Sequence, residues 1–329
     1  MNAQNRKERV ALLSVTSNSI LVVMKLVIGL MIGSVSIISE AIHSGVDWLA
    51  AVIALFSVKT SSLPADSRHP FGHGKIENIS GTIEALLIFV AAGWIIFEAV
   101  KKILNPEPIE DIGWGVGVML ASSIINFFVS QRLFKVGRET DSVALQADAW
   151  HLRTDVYTSA GVMASLALIW LASWIFPDKN LNWLDPAAAI GVALLIIKAA
   201  YDLTMQSARD LLDVNLPKEE MDWIRQRILE QRPVVHGFHH LRTRKSGHFR
   251  FVEFHLQMDP HMTVESSHKI TEDLSGLIER QYPGTSVTIH VEPCDGECVG
   301  HCLEGCLLSP DKRREIQRQN ARSDAAAIR

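Results

Sequence analysis

Two His-x-x-x-Asp pairs lie within apolar stretches of the sequence. The first pair is His43 and Asp47, and the second is His151 and Asp155. Residues four apart lie on one face of a helix, about 6 Å apart along its axis. Each pair therefore offers one imidazole nitrogen and one carboxylate oxygen on a single face. Two such helices facing each other would supply the ligands of tetrahedral Zn²⁺, and Co²⁺ or Mn²⁺ is compatible with the same set.

A structural role is the main alternative for these polar groups. A single buried histidine is more often a helix–helix hydrogen bond than a ligand. Two pairs on separate apolar segments reverse that balance, because ionisable groups inside a membrane are costly and mark ion paths. The same argument applies to a site that binds protons instead of a metal. Asn18 and Asn126 either line the same cavity or bond neighbouring helices to each other.

The apolar segments that hold the pairs occupy the first two thirds of the chain. The sequence has 329 residues, of which 48% are hydrophobic, and a net charge of −4. A membrane-spanning helix needs about 20 mostly apolar residues. The sequence therefore predicts an all-α transport domain over residues 1–208. Its six transmembrane helices are predicted at 10–33, 37–58, 79–101, 112–134, 145–176 and 184–207.

The charges of the connecting segments predict the orientation in the membrane. Residues 59–75 and 131–140 are basic, whereas residues 105–111 and 177–185 are acidic or mixed. Basic segments favour the cytoplasmic side. We therefore expect a multi-pass protein of the inner membrane with both termini in the cytoplasm. Lys101 and Lys102 oppose this orientation, but lysines at a helix end can snorkel.

Residues 209–293 predict a small α+β domain. Strand patterns meet at Ser246-Gly247, which predicts a hairpin turn. Residues 217–233 carry an apolar stripe of helical period and predict one amphipathic helix. A second amphipathic helix opens at Thr263, with Ser266 as a weak cap candidate. The order αββαβ predicts helices packed on one face of a three-stranded sheet, a ferredoxin-like or metallochaperone-like arrangement.

Residues 294–329 predict a Cys-rich and flexible tail. Its thiolates, together with His301, can close a tetrahedral site for zinc or copper(I). An iron–sulfur cluster fits less well, because the cysteine spacing matches none of the common runs. A disordered, redox-reactive tail is the alternative, and residues after about 307 are expected to be disordered or weakly helical. All the cysteines of the chain lie here: Cys294, Cys298, Cys302 and Cys306.

The sequence resembles the cation diffusion facilitator family. The resemblance rests on the two His-x-x-x-Asp motifs on the second and fifth of six spans, followed by an αββαβ domain. "PADSRHPFGHGKIE" resembles the family's loop between spans two and three, and "HHLRTRKSG" resembles the start of its cytoplasmic sheet. The resemblance extends to about Pro293. It implies a homodimeric antiporter that exports a divalent metal, most of all Zn²⁺, from the cytoplasm in exchange for protons.

The resemblance also implies further sites. Asp66, His69 and His73 match a second metal site in the loop after span two. An ion pair of Lys75 with Asp213, with Arg244 alongside, is implied at the junction of the membrane domain and the dimer interface. A binuclear zinc site at the cytoplasmic dimer interface is implied for His239, His255, His268, His290 and Glu292, with His240 as a neighbour that can substitute.

Two residues depart from the pattern of a zinc-transporting bacterial member. That member has aspartate where this chain has His43, and its bridging cytoplasmic carboxylate is an aspartate where this chain has Glu292. Two imidazoles with two carboxylates make a more nitrogen-rich transport site. We therefore expect Zn²⁺ to be preferred over Cd²⁺, with less use of Fe²⁺ or Mn²⁺.

Other function classes are weighed against transport. A metal-sensing membrane receptor, whose soluble domain binds zinc, is the principal alternative. An intramembrane zinc hydrolase is disfavoured because the sequence has no HExxH motif. No phosphate-binding GxxxxGK[ST] motif is present and no basic stripe occurs outside the loops, so neither ATP nor nucleic acid is expected as a partner.

Overall fold

The computed structural model of the chain describes residues 2–33, 35–105, 114–175, 183–296, 298 and 300–327. It divides into two compact units, Met1–Leu211 and Leu212–Arg329. Each unit is described by itself. The acidic segments that predict the outer face, 105–111 and 177–185, lie mostly outside the described residues.

The first unit consists of long helices, as the apolar segments predict. Five of the described helices, α1 to α4 and α6, are long and apolar enough to cross a membrane. The remaining helix, α5, has 33 residues and carries the second His-x-x-x-Asp pair. The helices are α1 (Ala3–Ile32), α2 (Val35–Ser61), α3 (Lys75–Leu104), α4 (Trp114–Glu139), α5 (Val143–Ile175) and α6 (Leu184–Leu211).

Small residues let these helices pack closely. Ala85 and Ala92 on α3 are fully buried in a cluster with Ala147 of α5 and Ala200 of α6. At Gly81 an added Cβ atom would lie 2.9 Å from both Ser207 Oγ and a methyl group of Val143, so glycine allows the three helices to approach closely there. Close approach of helix backbones is the usual basis of packing in membranes, where burial of apolar surface adds little. The outward faces bear large exposed apolar side chains such as Val90 and Leu195.

A buried ion pair ties together one end of the first unit. Nζ of Lys7 on α1 lies 3.1 Å from Oε1 of Glu77 on α3, and the side chains are 2% and 0% exposed. Ser61, in the last turn of α2, donates to Glu77 Oε1 at 2.9 Å, and Ser142, just before α5, donates to Oε2 at 2.7 Å. The Glu77 carboxylate therefore receives hydrogen bonds from three other parts of the bundle, which offset the cost of burying its charge.

The second unit contains a three-stranded sheet in the order β1-β2-β3. Strands β1 and β2 are antiparallel, and they are joined by the predicted turn, where Gly247 has a φ of 61°. Strands β2 and β3 are parallel, so α8 crosses between them. The elements are α7 (Lys218–Leu229), β1 (Gly237–Ser246), β2 (Phe249–Met258), α8 (Val264–Gln281), β3 (Thr285–Pro293), α9 (Gly300–Gly305) and α10 (Pro310–Ala327).

The helices α7 and α8 share an apolar core with the sheet. Ile224 and Ile228 of α7 and Leu274 and Ile278 of α8 are fully buried against Phe254 and its neighbours in β2. Each fully buried side chain of this size contributes about 1.5–3 kcal/mol. The core therefore holds both helices against β2, the central strand from which the candidate ligand His255 projects.

The predicted fold class, a helical membrane region followed by a small αββαβ domain, is confirmed. The prediction that Ser266 caps this helix was wrong. Helix α8 is capped by Thr263, whose side chain accepts a hydrogen bond from the backbone N–H of Ser266. A cap residue must stand before the first helical turn, and Ser266 already lies within that turn. Beyond residue 307 the structure contains helix α10, which is the helical alternative for the end of the chain.

Candidate metal centres

The two His-x-x-x-Asp pairs meet between α2 and α5. His151 Nε2 lies 3.0 Å from Asp47 Oδ1, and His43 Nε2 lies 3.8 Å from Asp155 Oδ1. One ligand atom from each of His43, Asp47 and Asp155 falls within 4.8 Å of the others, a group that can hold a metal ion. The structure therefore brings all four predicted residues into one constellation, in which each imidazole faces the carboxylate of the opposite helix.

A polar cavity of about 80 Å³ adjoins this constellation. Its walls include His43, Asp47 and Asp155, together with Asn126 of α4. Asn126 Nδ2 donates to Asp155 Oδ2 at 3.4 Å. The prediction that Asn126 lines the cavity therefore matches the structure. Asn18 is buried on α1 but is not among the described residues that line the cavity.

A lysine also reaches the cavity, which the sequence did not predict. Lys25 of α1 places Nζ 2.8 Å from Ser44 Oγ and 3.2 Å from Glu40 Oε2. Lys25 and Glu40 both line the cavity. Glu40 stands three residues before His43, on the same face of α2. A cationic group and a further carboxylate are thus positioned beside the predicted ligands. The signal available in the sequence was a charged residue inside an apolar span.

The loop after α2 brings Asp66, His69 and His73 together. One ligand atom of each residue lies within 4.8 Å of the others. Asp66 Oδ1 accepts hydrogen bonds from the backbone N–H groups of His69 and Arg68 at 2.6 and 2.8 Å. These bonds, the one from His69 above all, lower the pKa of the Asp66 carboxyl. The loop therefore presents an ionised carboxylate beside two imidazoles.

In the second unit, strand register places three histidines side by side. His239 of β1 is the register partner of His255 of β2, and His255 is the partner of His290 of β3. Ring centroids are 5.1 Å apart for His239 and His255, and 4.8 Å apart for His255 and His290. Side chains paired directly across strands lie on one face of a sheet, so register alone assembles this row.

Glu292 completes the row, because it lies two residues after His290 on the same face of β3. Its carboxylate lies 2.7 Å from His255 Nδ1, 3.2 Å from His239 Nε2 and 3.6 Å from His290 Nε2. Partial burial opposes its ionisation, but the hydrogen bond from His255 and the nearby imidazoles outweigh that effect and lower its pKa. His239, His255 and Glu292 form a group that can hold a metal ion.

The bulge in β1 brings His240 into the row, in keeping with its expected role as a neighbour that can substitute, whereas His268 lies on α8. A β-bulge between His239 and Arg242 puts His240 in the left-handed conformation, with φ of 55°. Its ring centroid lies 4.7 Å from that of His239 and 5.1 Å from that of His255, so it joins the row. His268 lies on α8 with its Nε2 3.4 Å from Glu272 Oε1, and the described ligand group does not include it. The alternating pattern of polar and apolar residues in a strand does not predict this bulge.

The remaining predicted residues are each placed within one unit. In the first unit, Lys75 Nζ lies 3.4 Å from the carbonyl oxygen of Leu211. In the second, Arg244 lies 3.6 Å from Asp213 and stacks over the ring of Phe251. The Lys75–Asp213 ion pair would join the two units and stays a prediction.

The four cysteines lie in the described part of the chain and are free thiols, with Cys294 and Cys302 buried. The side chain of His301, the fifth predicted ligand of the tail, lies outside the described residues.

Two family models match almost the whole chain up to residue 294. The cation efflux transmembrane domain matches residues 11–212, and the cytoplasmic domain of cation efflux proteins matches residues 216–294. The first match alone covers more than half of the chain. The chain is a cation diffusion facilitator. YiiP is a close relative in this family.

Several curated proteins are similar over most of this cation diffusion facilitator. The transporter sll1263 of Synechocystis is 35% identical over 80% of this chain and 83% of its own length. The cation-efflux pump FieF of Citrobacter koseri is 31% identical over 87% of this chain and 92% of its own length. FieF of Yersinia pestis is 32% identical over 87% and 93%. These relatives place the chain among efflux transporters for metal cations.

Two solved structures are similar over about a quarter of this chain. The Zn form of the transporter CzrB is 36% identical over 26% of this chain and 97% of that chain, with a TM-score of 0.23. The metal-bound C-terminal domain of the CzcD transporter from Thermotoga maritima is 31% identical over 24% of this chain and 94% of that chain, with a TM-score of 0.22.

Proposed function

We propose that this cation diffusion facilitator exports Zn²⁺ from the cytoplasm in exchange for protons. The transport site consists of His43, Asp47, His151 and Asp155. The observation that carries the proposal is the meeting of the two His-x-x-x-Asp pairs across α2 and α5, beside a polar cavity. Two nitrogens and two oxygens match tetrahedral Zn²⁺.

The pairing of the side chains supports competition between metal and protons. His43 faces Asp155 and His151 faces Asp47. Each pair can share a proton, and a bound Zn²⁺ needs the same nitrogen and oxygen atoms deprotonated. Free histidine titrates near pH 6.5, so a mildly acidic outer side favours protonation and a near-neutral cytoplasm favours metal binding.

Transport follows if the two forms prefer different orientations of the bundle. Zn²⁺ binding favours one orientation and protonation favours the other, so each species is carried in the opposite direction. The His43 imidazole, in place of an aspartate, supports preference for Zn²⁺ over Cd²⁺. ATP has no role in this cycle.

The proposal includes the setting of the transporter. The protein is a homodimer in the inner membrane. The basic segments 59–75 and 131–140 support an orientation with both termini in the cytoplasm. The loop group of Asp66, His69 and His73 is a cytoplasmic low-affinity site for metal on its way to the bundle. The row of His239, His240, His255, His290 and Glu292 would hold zinc in the cytoplasmic domain.

Export is tested in a bacterial host that lacks its own zinc exporters. Growth at elevated zinc and total cell zinc are measured for the wild type, for Asp155→Ala and for Glu98→Gln. Glu98 is a matched control, because its carboxylate is also on a long helix but pairs with Lys101 at the exposed surface. We expect the wild type and Glu98→Gln to restore growth and lower cell zinc, and Asp155→Ala to do neither.

The same experiment separates a transporter from a metal-sensing receptor. A receptor would leave cell zinc unchanged in all three strains, and its zinc response would survive Asp155→Ala. Unchanged export by Asp155→Ala would contradict the assignment of the transport site.

A further inference from the structure

The segment that follows β3 is built onto the end of the sheet. The backbone N–H of Cys294 donates to the carbonyl of Met258, the last residue of β2, at 2.8 Å. At the other end of the segment, Cys306 forms an isolated antiparallel bridge with Gly237, the first residue of β1. Leu307 N–H donates to the carbonyl of His236 at 2.8 Å. Both ends are therefore held at one end of the sheet, and the cysteines lie on the segment between them.

Side-chain contacts hold the middle of this segment as well. Cys302 is buried, and its Sγ lies 3.3 Å from Oε1 of Gln257 in β2. Gln317 of α10 places Nε2 3.4 Å from Cys298 Sγ and 3.3 Å from the carbonyl oxygen of Gly296. The cysteine segment thus lies between the sheet and α10, rather than extending away from the domain.

Three of the cysteines lie around Gln257, near the end of β2. Its side chain contacts Cys302 Sγ, its register partner Gly237 forms the bridge to Cys306, and the next residue of β2 accepts the backbone N–H of Cys294. The fold therefore gathers these cysteines at one end of the sheet.

We propose that Cys294, Cys298, Cys302 and Cys306 form a closed tetrathiolate site for Zn²⁺ that fastens the cysteine segment and α10 to the sheet. All the thiols of the chain are gathered in these 13 residues. Four thiolates and no open position are the ligand set of structural zinc. On binding, each thiol releases its proton to solvent as its sulfur bonds to the metal, so four protons leave for each Zn²⁺ bound.

Metal binding would draw the sulfurs closer together. Among the described residues, groups of three or more ligand atoms within 4.8 Å of one another consist of histidines and carboxylates, and the thiols form no such group. The segment has room to adjust: Gly296 has a φ of 77°, and at Gly300 an added Cβ would meet nothing within 4 Å. The free energy of metal binding can order the residues that form the site.

The site has a spectroscopic signature that no other site of the chain can give. The transport, loop and sheet sites offer nitrogen and oxygen ligands, so thiolate-to-metal charge transfer reports on the cysteines alone. Full-length protein in detergent with reductant is titrated with Co²⁺, and near-ultraviolet charge transfer is recorded together with the visible bands of tetrahedral cobalt. We expect charge transfer to saturate at one Co²⁺ per chain and Zn²⁺ to displace it.

Variants make the assignment specific. The quadruple Cys→Ser protein should lose all charge transfer and bind one equivalent of metal fewer. If it does not fold, Cys298→Ser alone, at a partly exposed position, should lose about one quarter of the intensity, because three of four thiolates remain. Asp155→Ala should leave the signal unchanged, so failure of the transport assignment does not affect this test.

One result would overturn the proposal: no charge transfer at saturating Co²⁺, with four thiols still reactive toward a thiol reagent. A disordered redox-active tail predicts that result. A second result would also overturn it, namely charge transfer that appears only at two chains per metal, which would show a site between copies.

Discussion

Nε2 of His151 on α5 lies 3.0 Å from Oδ1 of Asp47 on α2, and both side chains are almost completely buried. The atoms that bind each other across the two helices are the ones proposed to bind the cation. In the proposed cycle, Zn²⁺ takes these two atoms and breaks the contact between them. Protonation would keep the helices joined through the side chains, and metal binding would replace that contact with bonds to the ion.

Replacing the exposed imidazole of this site should broaden its selectivity. His43→Asp converts the ligand set to one imidazole and three carboxylates, and the His43 side chain is 54% exposed, so the change does not disturb packing. We expect the ratio of the Zn²⁺ transport rate to the Cd²⁺ transport rate to fall by about tenfold. This is the lower end of the usual effect of a mutation around a metal site on metal affinity or activity. The ratio is measured from initial rates in proteoliposomes. His261→Asp, at an exposed position in the second unit, is the control, and an unchanged ratio in His43→Asp would contradict the role of His43.

The lysine beside the cavity should govern release of the cation. Lys25 places a positive charge next to Glu40 and Ser44 on the cavity wall. Lys25→Met removes that charge and frees Glu40, so Zn²⁺ should bind more tightly and leave more slowly. We expect KM to fall and the maximal transport rate to fall with it, each by about tenfold, as for the loss of 1.4 kcal/mol of charge repulsion. Zinc uptake as a function of concentration measures both quantities, and a rise in KM would contradict this account.

Breaking the Lys7–Glu77 ion pair should destabilise the first unit. Lys7→Met removes the ammonium group that contacts Glu77 Oε1, and breaking a fully buried ion pair costs about 3–5 kcal/mol. Thermal unfolding in detergent measures the loss. Arg6→Met removes the partner of Glu139 from an exposed ion pair and should cost less than about 1 kcal/mol. The double variant Lys7→Met with Glu77→Gln should recover part of the stability, and equal losses in Lys7→Met and Arg6→Met would argue against a buried network.

Removing one charge should weaken the cytoplasmic site. Glu292→Gln retains the shape of the side chain but lacks the carboxylate that contacts His239, His255 and His290. We expect zinc affinity of this site to fall by about 10–100-fold. Zinc titrations are made in the quadruple Cys→Ser background. Glu272→Gln changes only the carboxylate beside His268, so it should bind zinc as tightly as the wild type does. A loss of zinc affinity in Glu272→Gln but not in Glu292→Gln would place the ligands on α8.

Much of the fold follows from local patterns in the sequence. Apolar run lengths place six helices close to where the structure has them, although α1 begins at Ala3, seven residues before its predicted start. The predicted end of α4 at residue 134 falls short because Lys135 and Arg138 end the apolar run, although the helix continues to Glu139. Hydropathy follows the membrane boundary, whereas a helix can extend into water beyond it. The His-x-x-x-Asp motifs could be predicted as one site, because each motif marks a single helical face.

Contacts between distant segments could not be predicted in the same way. Lys7 and Glu77 are 70 residues apart, and nothing in either local sequence indicates the pairing. The bulge after His239 brings His240 into the histidine row, but period-two alternation gives no sign of an extra residue. Lys25 was visible as a charge in an apolar span, yet its partner depends on how α1 packs against α2. Such features arise from tertiary packing and not from local propensity.

The exchange of metal for protons is tested most directly by recording both in one experiment. Proteoliposomes with a lumen more acidic than the bath hold a zinc dye and a pH dye, and Zn²⁺ is added outside. The account predicts that zinc enters as protons leave, that collapse of the pH gradient slows zinc influx, and that Asp155→Ala abolishes both signals. Zinc influx that is independent of the gradient and accompanied by no change in luminal pH would contradict proton-coupled transport at this site.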